Sequence, residues 1–314
     1  MERCDASHLS RQLPLFSKQK HMSLAVLTAV YPTAEPYIAD MVKSLAEQTD
    51  QDYVLYVLND GVSQVEKYFS TLINKTKILP VSGTISYIRK YGIRQMIADG
   101  IDLVVFADSD DFFSPNRIAL SRHFLKTFDV VVNELITFGE NCRQPTALLG
   151  PHIKNGERLT LSDVLDHNML GLSNTAARVA CISKYFDHVG DDLIAFDWAL
   201  YVRTLIDGAS CVFTSQAMTH YRQHHDNVAT IDQLDDTKLL HAVRVKAAHF
   251  AALADTGKPF RDRSCDYRDL LDHLEKRPGN ISSYSAFLKN QRPPTGLWWS
   301  SAQYPKEFMH ASVR

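Results

Sequence analysis

From Ser23 onward the chain alternates two kinds of hydrophobic pattern. The runs LAVLTAV (24–30), YVLYVLNDG (53–61), DLVVFADSDD (102–111) and DVVVNELITF (129–138) are nearly unbroken in apolar residues, many of them β-branched. Runs of strand length without polar alternation are buried on both faces, which predicts a mostly parallel sheet covered by helices. Between them lie segments with helical spacing. PYIADMVKSLAEQ (36–48) places Ile38, Met41, Val42 and Leu45 on one face, and TISYIRKYGIRQMIADG (84–100) is a longer helix closed by Gly100. VSQVEKYFSTLI (62–73) reads as a helix, TKILPV (76–81) as a short strand, and Ser114-Pro115 opens a helix running to about Lys126.

Past Gly139 the pattern loosens. LSDVLDHNM (161–169) is the one helix expected between 140 and 195. FDWALYVRTLI (196–206) is a further helix and CVFTS (211–215) a strand. The remainder reads as helices, in DDTKLLHAVRVKAAHFAALA (235–254), YRDLLDHLEKR (267–277) and SAFLKNQ (285–291). The organisation this predicts is a flexible extension over 1–22, an α/β domain over 23–230 whose sheet is complete in itself, and a helical region over 231–314. WWSSAQY (298–304) is expected to pack a tail onto the body.

Composition removes several function classes. A net charge of −2, from 34 Lys+Arg against 36 Asp+Glu, gives no basis for a nucleic-acid partner. The five cysteines are scattered without Cys-x-x-Cys spacing, as in a reduced cytoplasmic protein. Residues 1–22 lack the apolar core of a signal peptide, and no later run reaches transmembrane length.

The chemistry collects where strands stop. Asp108, Asp110 and Asp111 stand directly behind a buried strand, where like charges repel unless a cation or hydrogen-bond donors offset them. Thr28–Tyr31 and Asn59-Asp60-Gly61 end two other strands, and ligands of open α/β sheets bind at such carboxyl ends. No glycine-rich phosphate loop is present. An acid cluster without such a loop points to a hard divalent cation, Mg2+ or Mn2+.

Seven stretches in order resemble a family 2 glycosyltransferase of the GT-A fold. They are AVYPTAEPYI, SLAEQTDQDY, NDGVS, Ile88-Arg89-Lys90-Tyr91-Gly92, FADSDD, Phe196-Asp197-Trp198-Ala199-Leu200 and YRQHHDN (221–227). The resemblance covers about residues 23–230. It implies a metal-dependent inverting transferase moving a sugar from a nucleotide-sugar donor to a hydroxyl of a glycan, lipid-linked or protein acceptor. Asp110 and His224 would then hold the metal, with Asp111 behind them. Tyr31, Asp60, Arg89, Asp108 and Arg222 would bind the donor. Asp197 would be the catalytic base, kept ionised by its place at a helix start. A lipid-linked acceptor would bring contact with the inner face of a membrane, and the C-terminal helices offer a surface for a homodimer. Asn59, Lys90 and Phe196 depart from the family pattern. A catalytically inactive GT-A domain serving as a binding or scaffold subunit would carry such changes. A haloacid-dehalogenase-type phosphotransferase, the other reading of Asp-x-Asp, would place that motif on its first strand.

Overall fold

The computed structural model describes residues 21–139, 142, 144–224, 235–291 and 302–312. Most of the N-terminal extension, His225, the boundary near 230 and Trp298-Trp299 therefore lie outside the described residues. The first half contains β1 (Leu24–Val30), α1 (Ile38–Ala46), β2 (Val54–Asn59), β3 (Thr76–Pro80), α2 (Ile85–Ala98) and β4 (Leu103–Asp108). There follow β5 (Phe112–Phe113), α3 (Arg117–Phe124), β6 (Val130–Phe138), β7 (Thr146–Ala147), β8 (Arg158–Leu159) and α4 (Leu161–Val164). Then come β9 (Thr175–Arg178), α5 (Val179–Ile182), α6 (Phe196–Ile206) and β10 (Cys211–Arg222), and last α7 (Asp236–Leu253), α8 (Lys258–Lys276), α9 (Pro278–Gln291) and α10 (Pro305–Ser312).

The main path of the sheet runs β3-β2-β1-β4-β9-β6-β10-β5. Pairing is parallel from β3 through β4 and again between β6 and β10, as the apolar runs predict. Between β4 and β6 sits the short β9, antiparallel to both. Its sequence, Thr-Ala-Ala-Arg, is neither an apolar run nor an alternation, and its buried Ala176 and Ala177 are held by tertiary packing. Because one antiparallel strand separates them, β4 and β6 still point the same way. The carboxyl ends of β1, β2, β4, β6 and β10 thus share one edge.

Successive strand residues feed two cores. Ala25 and Leu27 face the side covered by α2, α6, α7 and α8, while Leu24, Val26 and Val30 face α1, α3 and the 3-10 helix Val65–Lys75. This last segment is not the α-helix its spacing predicts. The expected helix over 161–169 stops at Val164, and β10 continues seven residues past Ser215, with an irregularity between Thr214 and Met218. The C-terminal helices pack onto the sheet on the α2 side. They belong to the same continuous core as the sheet, and Trp198 of α6 stacks on His249 of α7 at 3.7 Å. No helix among the described residues is long and apolar enough to cross a membrane.

Candidate active site

A small cleft opens at the strand ends, floored by Leu27–Ala29 of β1, Leu58 of β2 and Phe106–Asp108 of β4, with Arg89 and Leu172 at its sides. The placement of Arg89 follows from a glycine. A Cβ on Gly92 would lie 2.8 Å from side-chain carbons of both Leu27 and Leu58, so only glycine lets α2 lie this close to β1 and β2. Arg89 is three residues earlier, on the same helix face. Its guanidinium comes within 3.6 Å of the Asp108 carboxylate.

The acids of residues 108–111 divide the work. Burial lifts the Asp108 carboxyl to about 6, Arg89 pulling down and Asp110 and Asp197 pushing up. Its side chain keeps 38% exposure on the cleft side. Asp111 is fully enclosed, accepting from the Ser173 hydroxyl and, at 2.9 Å, from the Arg222 backbone N–H. Burial and its two acidic neighbours raise its carboxyl well above the usual range. Asp111 therefore ties β10 and the 3-10 turn Leu172–Asn174 to the acid loop from behind.

Asp110 meets His224, whose Nε2 is 3.0 Å from Oδ2, the two side chains 14% and 11% exposed. An imidazole nitrogen and a carboxylate oxygen this close can share a divalent cation, a donor pair that suits Mn2+ well. No third ligand side chain joins them among the described residues. A cation there would fill its shell from water and ligand phosphate, as Mg2+ and Mn2+ commonly do. Tyr31 faces the same cluster, its phenol raised above the ordinary value first by burial and then by Asp110, Asp108 and Asp111.

Arg222 is not on a loop but is the last residue of β10. Its Nε donates to the Asp110 carbonyl at 2.7 Å and its NH2 group to Asp40 at 2.6 Å, with Tyr37 and Phe138 on its faces at 4.7 and 4.5 Å. In these contacts it anchors the acid loop. Asp60 starts the turn after β2, its N–H bonded to the Val30 carbonyl. Asn59 closes that turn through Val62, which occupies both ends of its amide.

Asp197 lies in the first turn of α6, half-buried. Its Oδ1 accepts from the Trp198 N–H at 2.8 Å and from Asn168 at 3.3 Å. The helix-start argument predicts a carboxyl held low, and the structure corrects it. Burial dominates and raises the Asp197 carboxyl, against the pull of Arg89, the Trp198 N–H, Asn168 and the Leu172 N–H. A dipole is a local property of the helix, while desolvation is set by everything packed around it.

Three further contributors escape a linear reading. Arg117, 1% exposed, donates to Asn133 at 2.9 Å and to the Phe106 carbonyl at 2.7 Å beneath the acids. Burial lowers its guanidinium to about 9 while Asp111 and Asp108 support its charge, so it serves as a fixed counter-charge to the cluster. The available signal was its spacing of four from the buried Ser121. Asn168 falls past the end of α4, where the spacing predicts a longer helix, and Ser173 lies in the 3-10 turn Leu172–Asn174, so no pattern of spacing singles out either one.

No protein-family profile and no curated protein sequence matches the chain. Solved structures do. TarS 1–349 of S. aureus superposes with a TM-score of 0.59 at 16% identity, covering 86% of this chain and 77% of that one. In complex with UDP-GlcNAc the same protein gives 0.57 at 15% identity, with 93% and 92% covered. The mannosyltransferase PcManGT from Pyrobaculum calidifontis, in complex with GDP-Man and Mn2+, gives 0.52 at 13% identity, with 94% and 84% covered. The chain shares their fold, the GT-A fold.

Proposed function

We propose that this protein is a nucleotide-sugar-dependent glycosyltransferase that inverts configuration at the sugar carbon. A fold does not carry a function by itself. The observation that carries the reading is one cleft at the strand ends in which Arg89 approaches Asp108 and also bears on Asp197. The neighbours solved with UDP-GlcNAc and with GDP-Man support the donor class. Tyr31, Asp60 and Asp108 would receive the nucleoside, and Arg89 the diphosphate. Asp110 and His224 would hold Mg2+ or Mn2+, which when bound supplies charge neutralisation for the diphosphate. Arg222 contributes by fixing the Asp110 backbone.

The reaction asks one base of the chain. Asp197 takes the proton of an acceptor hydroxyl on a glycan, lipid-linked or protein acceptor. The hydroxyl oxygen bonds the anomeric carbon, and the bond from that carbon to the diphosphate oxygen breaks, its electron pair leaving with the diphosphate. A carboxyl raised by burial is a better proton acceptor than an ordinary one. It must be ionised to act, so turnover is expected to fall on acidification at a higher pH than for an unperturbed aspartate. The three departures from the family pattern have structural duties. Asn59 closes its turn, Lys90 donates to the Val189 carbonyl and Asp191 at 2.8 and 2.7 Å, and Phe196 is fully buried in the core. Such duties give no support to an inactive scaffold.

The test is nucleoside diphosphate release from UDP-GlcNAc and GDP-Man with Mn2+. Asp197→Asn is expected to lower kcat by about 10²–10⁴-fold with donor affinity near native. Native turnover in that variant would remove Asp197 as the base.

A further inference from the structure

Asn168 is buried, and its amide donates to Asp197 while its own Oδ1 is enclosed without a hydrogen-bond partner. On its C-terminal side Asn174 links the Met169 carbonyl to that of Asn133 in β6, donating at 3.2 and 3.3 Å; on its N-terminal side the helices take over. Two residues before Asn168, Asp166 receives a two-bond fork from Arg263 of α8, Nε to Oδ1 at 2.5 Å and NH2 to Oδ2 at 2.6 Å. Lys246 of α7 donates to the Asp166 carbonyl at 3.3 Å. On the other flank Trp198, the residue after Asp197, donates its indole N–H to the Val164 carbonyl at 2.7 Å and stacks on His249 of α7. Both sides of the Asn168–Asp197 contact are therefore gripped by the C-terminal helices.

The geometry points to a positioning role for these helices in catalysis. Arg263 and Lys246, acting through Asp166, set Asn168 so that its amide fixes the plane of the Asp197 carboxylate. Two donors converging on Oδ1 restrict how that group turns. A base must hold its orientation to within a fraction of an ångström as it accepts a proton, and such precision comes from the groups behind it. The inference rests on the reading of Asp197 as the base.

The experiment uses the full chain, with UDP-GlcNAc and GDP-Man as donor probes and Mn2+ present. Arg263→Met and Asn168→Ala are each expected to lower kcat about 10–100-fold, the usual reach of supporting hydrogen bonds, with donor KM within about twofold. The double variant should be no slower than Asn168→Ala alone, because the two act in one chain of contacts. Arg263→Lys, which keeps the charge, should recover part of the loss. Hydrogen exchange, which needs no donor, is read in parallel. In Arg263→Met the Trp198 and Leu172 amides should lose protection while Val105 in β4 keeps it. Multiplicative losses in the double variant, native kcat in Arg263→Met, or equal loss of protection at Val105 would each overturn the inference. Asp197→Asn in the same series separates the two claims. Native turnover there removes the base assignment, whereas an inactive Asp197→Asn beside a native Arg263→Met removes only the positioning role.

Discussion

Lys246 is an expensive residue, and its cost can be measured. None of its surface is exposed, and its ammonium sits 3.3 Å from the Asp166 carbonyl and 3.4 Å from the Tyr267 hydroxyl. The Asp166 carboxylate, which would neutralise it best, is taken up by Arg263. Burial lowers the Lys246 amine to about 7, Asp166 opposing and Arg263 assisting. In the unfolded chain the proton stays on until roughly pH 10.4. Between those values the unfolded state binds more protons, so stability rises with pH across that window, and below it the penalty is in full force. At about 1.4 kcal/mol per pH unit the gap is on the order of 4–5 kcal/mol. Lys246→Met keeps the stem and removes the charge, but forfeits two long hydrogen bonds at about 1 kcal/mol each. The variant is therefore expected to be more stable by about 1–4 kcal/mol at pH 7, with the advantage gone near pH 10. Urea denaturation of both proteins at pH 7, 8.5 and 10 reads the difference, in which groups common to both cancel. A difference that stays constant or widens toward pH 10 would refute the reasoning. If Lys246 also helps place Asn168, the stabilised variant turns over more slowly, a trade between stability and activity that would account for a buried lysine.

Three other outcomes follow from the geometry. Asp110→Asn should leave far-ultraviolet circular dichroism unchanged but abolish chelator-sensitive donor turnover, so activity that persists equally in excess EDTA would count against a cation at Asp110 and His224. Gly92→Val should push α2 away from Leu27 and Leu58 at a cost of about 1–3 kcal/mol, and carry Arg89 with it. Calorimetric titration with UDP or GDP should then show weaker binding than in Gly92→Ala, where better helix propensity of about 1 kcal/mol partly compensates. Truncation after residue 234 should strip His249 and Phe250 from Trp198, stacked at 3.7 Å and edge-on at 5.6 Å. Loss of near-ultraviolet circular dichroism is the expected result, and a cooperatively unfolding fragment would show that the α/β part stands alone.

The legible parts of this protein are those whose cause is local. Apolar runs mark β1, β2, β4 and β6 because burial on both faces leaves no room for polar alternation. The acids at 108–111 stand out because nothing in a strand or a turn calls for three of them. What stayed hidden depends on partners distant in sequence. β9 is a strand only because β4 and β6 flank it, Arg117 is a counter-charge only because α3 slides under the acid loop, and Asp197 is raised because of what buries it. The C-terminal helices form the instructive case. In α7 the buried stripe runs through Leu239, Ala242, Val243, Lys246, His249, Phe250 and Leu253. Lysine and histidine thus occupy core positions of a helical period, where their charges read as an interspersed polar surface. A charged residue on the apolar stripe costs several kcal/mol unless it meets something specific. Here Lys246 meets the backbone of Asp166 and His249 meets the indole beside Asp197. The polar interruption of α7 therefore marks where the tail reaches back to the candidate base, and it ties residues beyond 235 to the same core as the strands.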